Sequence, residues 1–143
     1  MFLSKIPDKS QPPQKIISLV PSITELLFDL GLDNEVTGIT KFCTNPPDWH
    51  NTKTIIGGTK NIHSDKIISL EPDLIIANKE ENIKEQVMTL AERFPVWLTD
   101  VNTIEDNYQM ILDIGQITGR QEKPLEIANK IKASFSKLKH EHF

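Results

Sequence analysis

Short runs of apolar, mostly β-branched residues alternate along this chain with segments of helical periodicity. The apolar runs predict five strands, at residues 15–20, 36–40, 54–56, 74–77 and 96–99. Residues 74–77 carry no polar interruption, which is typical of a central parallel strand buried on both faces.

Helical segments occupy the intervals between these runs and follow the last of them. They are predicted at residues 22–30, 64–70 and 82–94, from residue 103 onward, and at 125–138. Ser22 and Glu25 have the spacing of a capping box, Gly31 marks the end of the first helix, and Thr103 begins a cap for a later one. The alternation predicts an α/β fold, a three-layer lobe with a mostly parallel sheet flanked by helices.

Three regions follow from this pattern. Residues 1–14 include a polar, proline-rich stretch and are expected to form a flexible lead-in. Residues 15–102 are expected to form the α/β lobe. Residues 103–143 read as a helical segment in which Gly119 separates two helices, and no apolar strand follows.

Composition and charge exclude several classes of function. The chain has 143 residues and a net charge of -4, so it lacks the basic surface that nucleic acids or anionic membranes require. A single cysteine excludes an internal disulfide. The sequence as written carries no secretory signal and no apolar stretch of bilayer length, so a soluble, cytoplasmic protein is expected from these features alone.

Ligands of parallel α/β sheets bind beyond the carboxyl ends of the strands, which directs attention to the residues there. Pro21 and Ser22 follow the first strand, where free N–H groups at a helix start can hold an anionic or carbonyl group. Ser22 is also explained as a plain helix cap, a role that serine commonly has for stability alone. Phe42 offers a stacking face. Cys43 is a soft ligand or nucleophile, or simply a small buried residue.

The remaining strand ends are polar. Gly57 and Gly58 lack the spacing of a phosphate-binding loop, so Thr59 and Lys60 beside them carry no nucleotide signature. Asn78 opens a polar run, residues 78–82, which is either a site or a solvated loop with Asn82 as helix cap. Neither a zinc spacing nor a Ser/His/Asp set is present, so the sequence supports no protein-bound metal and no catalysis. Residues 41–50 are predicted as a loop because of the Pro46-Pro47 pair.

The order of these motifs resembles that of the substrate-binding proteins of cobalamin, haem and iron–siderophore ABC transporters. The resemblance covers residues 15–138. It rests on the string at 16–26, on residues 36–40, on the Pro46-Pro47 and Gly57-Gly58 pairs, and on residues 67–77. Residues 59–61 and 78–82 look most like the helical backbone metal receptors, the cobalamin-binding-protein-like branch.

That resemblance implies a chelatase-like, class III binding protein, in which two α/β lobes are joined by one long helix and hold the ligand between them. This sequence resembles the N-terminal lobe and the interlobe helix, at about residues 122–139, with the C-terminal lobe absent. The family role also implies a periplasmic or other extracytoplasmic location, a permease partner and no required cofactor.

Residue by residue, the resemblance places Phe42 where cobalamin binders have an aromatic side chain on the corrin ring. Thr59 and Asn78 stand where those binders have tryptophans, so cobalamin and a smaller or more polar chelate both stay open. Asp65 matches the lobe-surface carboxylate that docks on a transporter arginine; it is also explained by its place in the first turn of a helix.

The leading hypothesis is therefore a non-enzymatic protein that binds a metal chelate for an ABC transporter. An alternative is a cytoplasmic enzyme or sensor domain on the same scaffold that uses Cys43 as its reactive group. A third possibility is self-association of the lobe through its exposed cleft face.

Overall fold

The computed structural model describes residues 1–3, 11–120 and 126–127, and the chain divides into two units, residues 1–100 and 101–143. The first unit contains a five-stranded sheet in the order β3-β2-β1-β4-β5, with each of these strands parallel to its neighbours. The strands are β1 (Ile16–Ser18), β2 (Val36–Ile39), β3 (Thr54–Ile55), β4 (Leu74–Asn78) and β5 (Val96–Thr99). The predicted α/β class is confirmed.

The described residues of the first unit, 1–3 and 11–100, form four helices: α1 (Pro21–Asp29), α2 (Pro47–Thr52), α3 (Ser64–Leu70) and α4 (Lys84–Ala91). Helix α1 packs against β1 and β2, α3 against β2, and α4 against β5. The chain moves outward from β1 in one direction and from β4 in the other. Right-handed connections therefore put α1 and α4 on opposite faces of the sheet.

The two central strands form the core. All residues of β1 and residues 74–77 of β4 are at most 1% exposed. Burying each isoleucine or leucine there contributes roughly 1.5–3 kcal/mol. Gly38 in β2 lets α3 approach the sheet closely, because a Cβ at that position would lie 3.0 Å from the Leu70 Cδ1 atom.

The first helix does not begin as its sequence predicts. Its N-cap is Val20, no side chain caps it, and Pro21 occupies the first helical position. The predicted capping box of Ser22 and Glu25 is wrong because proline, with no N–H and a fixed φ, is suited to that first position. Glu25 instead accepts a hydrogen bond from the Asn45 Nδ2 atom at 3.2 Å.

The predicted loop at residues 41–50 is wrong in its second half, where α2 begins at Pro47 with Pro46 as its N-cap. The same preference of proline for the first helical position explains the error. Trp49 anchors this short helix: it is 2% exposed, and its Nε1 atom donates to the Asp33 Oδ1 atom at 2.5 Å. The Phe28 ring meets the Trp49 ring edge-on, with centroids 5.6 Å apart.

The second unit contains α5 (Ile104–Thr118). Thr103 caps it as predicted: its hydroxyl accepts from the Asp106 backbone N–H at 3.0 Å, and the Asp106 carboxylate accepts from the Thr103 N–H at 3.2 Å. Gly119 ends the helix in the left-handed conformation, with φ 75. The interlobe helix expected at residues 122–139 lies outside the described residues, apart from 126 and 127.

Residues 1–3 lie antiparallel along β5 at the edge of the sheet. The Leu3 N–H donates to the Val96 carbonyl at 3.1 Å, and the Leu98 N–H donates to the Met1 carbonyl at 2.8 Å. The Phe2 ring contacts the Trp97 ring edge-on at a centroid distance of 4.9 Å. This segment of the predicted lead-in therefore covers the edge of β5.

Candidate functional site

The sheet reverses its direction of growth between β1 and β4, so a crevice is expected where their carboxyl ends diverge. The segments that follow β1, β2, β3 and β4 all emerge at this edge because the four strands are parallel. The predicted site residues at strand ends lie in these segments. The contacts between the segments decide which of these residues are brought together.

The loop after β3, residues 57–63, is shaped by glycine. Gly57 has φ 110, and a Cβ on it would lie 2.3 Å from the Asn61 carbonyl oxygen. Gly58 donates its N–H to that carbonyl at 2.9 Å, and the His63 N–H donates to the Ile56 carbonyl at 2.8 Å. This tight turn presents Thr59 and Lys60 at the carboxyl edge of the sheet.

Asn82 joins three of the segments at this edge. Its side chain is almost fully buried, and its Nδ2 atom donates to the Leu19 carbonyl at 3.1 Å and to the Thr59 carbonyl at 3.0 Å. Its Oδ1 atom accepts from the Asn78 N–H at 2.8 Å. The segments after β1, β3 and β4 are therefore tied together by one carboxamide.

The sequence alternative that made Asn82 a helix cap is wrong, because Ile83 is the N-cap of α4 and no side chain caps that helix. Sequence reasoning missed the bridging role because two of the partners lie 63 and 23 residues away along the chain. The one local signal is an asparagine at the end of a polar run that directly follows a buried strand.

Asn78 lies at the end of β4, and its side chain shapes the segment that follows. Its Oδ1 atom accepts from the N–H groups of Glu80 and Glu81, at 2.9 and 3.1 Å. Its Nδ2 atom donates to the Thr99 hydroxyl at 3.2 Å, which links the end of β4 to the end of β5. Lys60 reaches the same segment, since its Nζ atom donates to the Glu80 carbonyl at 2.9 Å.

Phe42 contributes an exposed aromatic face next to the β3 loop. It is 53% exposed, and its Cε2 atom would lie 3.2 Å from a Cβ placed on Gly58. The Lys41 ammonium lies 5.2 Å from the centroid of the Phe42 ring, within the range of a cation–π contact. The Lys41 N–H donates to the Gly57 carbonyl at 2.8 Å, which holds the segment after β2 against that loop.

Cys43 lies beneath this surface. It is 1% exposed, and its Sγ atom is 3.0 Å from the Thr24 hydroxyl and 3.1 Å from the Thr40 hydroxyl. The Thr24 hydroxyl also donates to the Ser18 Oγ atom at 2.8 Å. The thiol therefore belongs to a buried chain of polar groups under the carboxyl edge, which matches the buried alternative that the sequence left open.

The predicted site residues separate into three sets. Thr59, Lys60 and Asn78 are joined through Asn82 and the Glu80 carbonyl, and Phe42 borders the same loop. Ser22 is exposed and Pro21 half-buried in the first turn of α1, and within the described part of the chain no hydrogen bond joins their side chains to that set. Asp65 is exposed in the first turn of α3.

Two further findings concern the described residues. No group of three or more His, Cys, Asp or Glu side chains among residues 1–3, 11–120 and 126–127 is placed to hold a metal ion. Within the same ranges, no helix has the length and apolar character needed to cross a bilayer. A groove of about 330 Å³ lies beside α1, but its lining includes none of the predicted site residues: Glu25, Phe28, Asp29, Asn45 and Pro46.

Phe42, Thr59, Lys60 and Asn78 thus lie together at the carboxyl edge of a parallel α/β sheet. Residues 16–142 match the periplasmic binding protein family. The chain belongs to that family, whose members are solute-binding proteins. The family resemblance seen in the sequence motifs is confirmed.

Two curated relatives show similarity along most of the chain. The ABC transporter substrate-binding lipoprotein YvrC of Bacillus subtilis (strain 168) is 27% identical over 135 residues, which cover 88% of this chain and 41% of that protein. The vitamin B12-binding protein of Pectobacterium carotovorum is 24% identical over 129 residues, covering 90% and 46%. The chain thus spans less than half the length of either relative.

Solved structures share the fold. The periplasmic vitamin B12 binding protein BtuF of Vibrio cholerae superposes with a TM-score of 0.82 at 23% identity, covering 91% of this chain and 51% of that one. A periplasmic haem-binding protein and a siderophore-binding protein have the same fold.

Proposed function

We propose that the chain forms one lobe of a solute-binding protein that holds a metal chelate, such as cobalamin, haem or a ferric siderophore, for an ABC transporter. The observation that carries the proposal is the exposed Phe42 ring beside the turn of Thr59 and Lys60 at the carboxyl edge of the sheet. The names of the relatives support the chemical class of the ligand. A second lobe supplies the opposite wall of the cleft.

In this proposal the flat Phe42 ring contacts the apolar face of the chelate, and the polar groups around it meet the rim. Thr59, Lys60 and Asn78 come from neighbouring segments. The first turn of α1, which begins at Pro21, adds the backbone N–H of Ser22, since proline has none. Cys43 is 1% exposed, so its thiol is left out of the proposed ligand contact. Thr59 and Asn78 stand where the resemblance places tryptophans, so cobalamin and a smaller or more polar chelate are both included in the proposal.

The permease partner is recognised by charge on the lobe surface. Asp65 is exposed at the start of α3, where a carboxylate is available to a basic side chain of another protein. Surface ion pairs add little to stability, but across an interface they steer and orient partners. The lipoprotein and periplasmic names of the relatives support an extracytoplasmic location for this interaction.

Catalysis is not part of the proposal. Cys43 is 1% exposed, and a thiolate nucleophile must be accessible to its substrate. The burial of Cys43 therefore argues against the alternative in which it is a reactive group. Binding without covalent chemistry requires only the shape and polarity of the edge described above.

Calorimetric titration of the chain with cyanocobalamin, haemin and a ferric hydroxamate tests the proposal. At least one chelate is expected to bind, and Phe42→Ala is expected to weaken it about tenfold because an aromatic contact is lost. Phe28→Ala is the matched control, since Phe28 is 47% exposed on α1 and lies outside the proposed surface. Failure of all three chelates to bind, with a nucleotide binding in their place, would overturn the proposal.

A further inference from the structure

The loop after β3 reaches across two strands to meet the segment after β4. In the sheet, β3 and β4 are separated by β2 and β1, so three strand spacings of roughly 4.8 Å lie between them. Residues 59–62 nonetheless accept and donate hydrogen bonds with residues 80–86. The β3 loop therefore passes over the carboxyl ends of β2 and β1.

Side chains of the β4 segment hold that loop by its backbone. Asn82 donates to the Thr59 carbonyl at 3.0 Å. One helical turn later, the Gln86 Oε1 atom accepts from the Ile62 N–H at 3.2 Å and its Nε2 atom donates to the Lys60 carbonyl at 3.3 Å. With the Lys60 ammonium on the Glu80 carbonyl, four hydrogen bonds join the two segments. We call this set of contacts the clasp.

Asn82 carries the buried part of the clasp. Asn82 is 5% exposed, and both its Nδ2 and its Oδ1 atoms form hydrogen bonds with main-chain groups. Its removal would leave the carbonyls of Leu19 and Thr59 without this donor. Buried polar groups that lose a partner keep the full cost of their desolvation, so the loops would be driven to rearrange.

We infer that Asn82 is a positioning residue: through the clasp it fixes Thr59, Lys60 and Asn78 relative to one another before any ligand arrives. A surface that is ordered in advance does not lose loop entropy on binding, which raises affinity without adding contacts. This inference rests on the proposed function for its effect on ligand affinity. The clasp itself is independent of any ligand.

Hydrogen exchange resolved at single amides tests the clasp on the whole chain. Asn82→Ala is expected to speed exchange at Asn78, and Gln86→Ala at Ile62, because each substitution removes the acceptor of that N–H. Gln86 is half-buried, so this second variant keeps the test decisive if Asn82→Ala does not fold. Unchanged exchange at Ile62 in Gln86→Ala would overturn the clasp.

Two control variants distinguish a local effect on the clasp from a general loss of stability. Asn61→Ala lies in the same loop and removes an exposed side chain that bonds to none of the described residues, so exchange should not change. Val87→Ala destabilises the core from α4, where Val87 is 3% exposed. It is expected to lower the melting temperature while Ile62 and Asn78 stay locally protected.

Titration with cyanocobalamin and haemin then measures the effect on affinity. Asn82→Ala is expected to weaken whichever chelate binds the wild-type chain by about tenfold, whereas Val87→Ala leaves affinity within about twofold. Equal affinity in Asn82→Ala and wild type would overturn the positioning role. If neither binds the wild-type chain, the ferric hydroxamate replaces them in this titration. If no chelate binds, the exchange at Ile62 and Asn78 decides the clasp by itself.

Discussion

Gly57 holds the loop after β3 in a backbone conformation that residues with side chains rarely adopt. Its φ of 110 and the 2.3 Å approach of the Asn61 carbonyl to the place of a Cβ leave no room for one. Both Thr59 and Lys60 depend on this turn for their position. The backbone of Gly57 therefore fixes where Thr59 and Lys60 lie.

We predict that Gly57→Ala lowers the free energy of unfolding by about 2 kcal/mol or more, because strained backbone and a steric clash combine. Denaturant unfolding followed by circular dichroism measures the change. Gly58→Ala is the neighbouring control: an added Cβ there meets only the ends of the Phe42 and Lys41 side chains, at 3.2 and 3.3 Å, and these can move. Equal stability losses in the two variants would contradict the prediction.

The bridging role of Asn82 could not be predicted from the sequence. Its type and its place after a buried strand are visible, but its function depends on carbonyls of Leu19 and Thr59 that only the fold brings near. Phe42 is different, because an aromatic residue at a strand end is a candidate from its position alone. Local chemistry can thus be read from the sequence, whereas a bridge between distant segments requires the topology.

Among the elements, those defined by apolar pattern agree with their predictions. Helix α3 and strand β5 have the predicted bounds. Strand β1 is shorter than predicted by one residue at its start and two at its end, and β4 is longer by one residue at its end. The predicted loop at residues 41–50 is wrong at α2 because proline, which breaks a helix in its interior, can occupy its first position. Helix α4 begins at Lys84 rather than at residue 82, because Asn82 is engaged in the loop contacts.

The N-terminal cap of helix α5, which the sequence predicts correctly, can be tested by substitution. Thr103→Ala removes the hydroxyl that accepts from the Asp106 N–H, and we expect a loss of about 1 kcal/mol in the stability of the first turn. Hydrogen exchange at residue 106 reports this loss directly. Thr89→Ala in α4 serves as control, because the exposed Thr89 hydroxyl donates to a carbonyl inside its own helix and caps nothing. Unchanged exchange at residue 106 in Thr103→Ala would count against a stabilising cap.

At the scale of the whole molecule, the edge of β5 matters for association. Unpaired strand edges are templates for pairing with another chain, and residues 1–3 occupy this one. Contacts of this kind, made between the two ends of a lobe, have no periodic signal in the sequence. The sequence pattern therefore does not predict the pairing of residues 1–3 with β5.

We predict that deletion of residues 1–3 promotes self-association through the exposed β5 edge, detected by light scattering over a range of protein concentrations. The fluorescence of Trp97 should shift as well, because it loses the Phe2 ring at 4.9 Å. Phe28→Ala is a control for the loss of an edge-on aromatic contact elsewhere, at Trp49. A deleted chain that stays monomeric at every concentration would show that the β5 edge does not drive association.

The clasp between the β3 and β4 segments also sets a rule for redesign. Because residues 57–63 and 78–86 share their hydrogen bonds, neither can be exchanged for the matching segment of a relative without leaving the other unsupported. If the proposed function holds, changing the ligand preference of this lobe requires both segments to be replaced together.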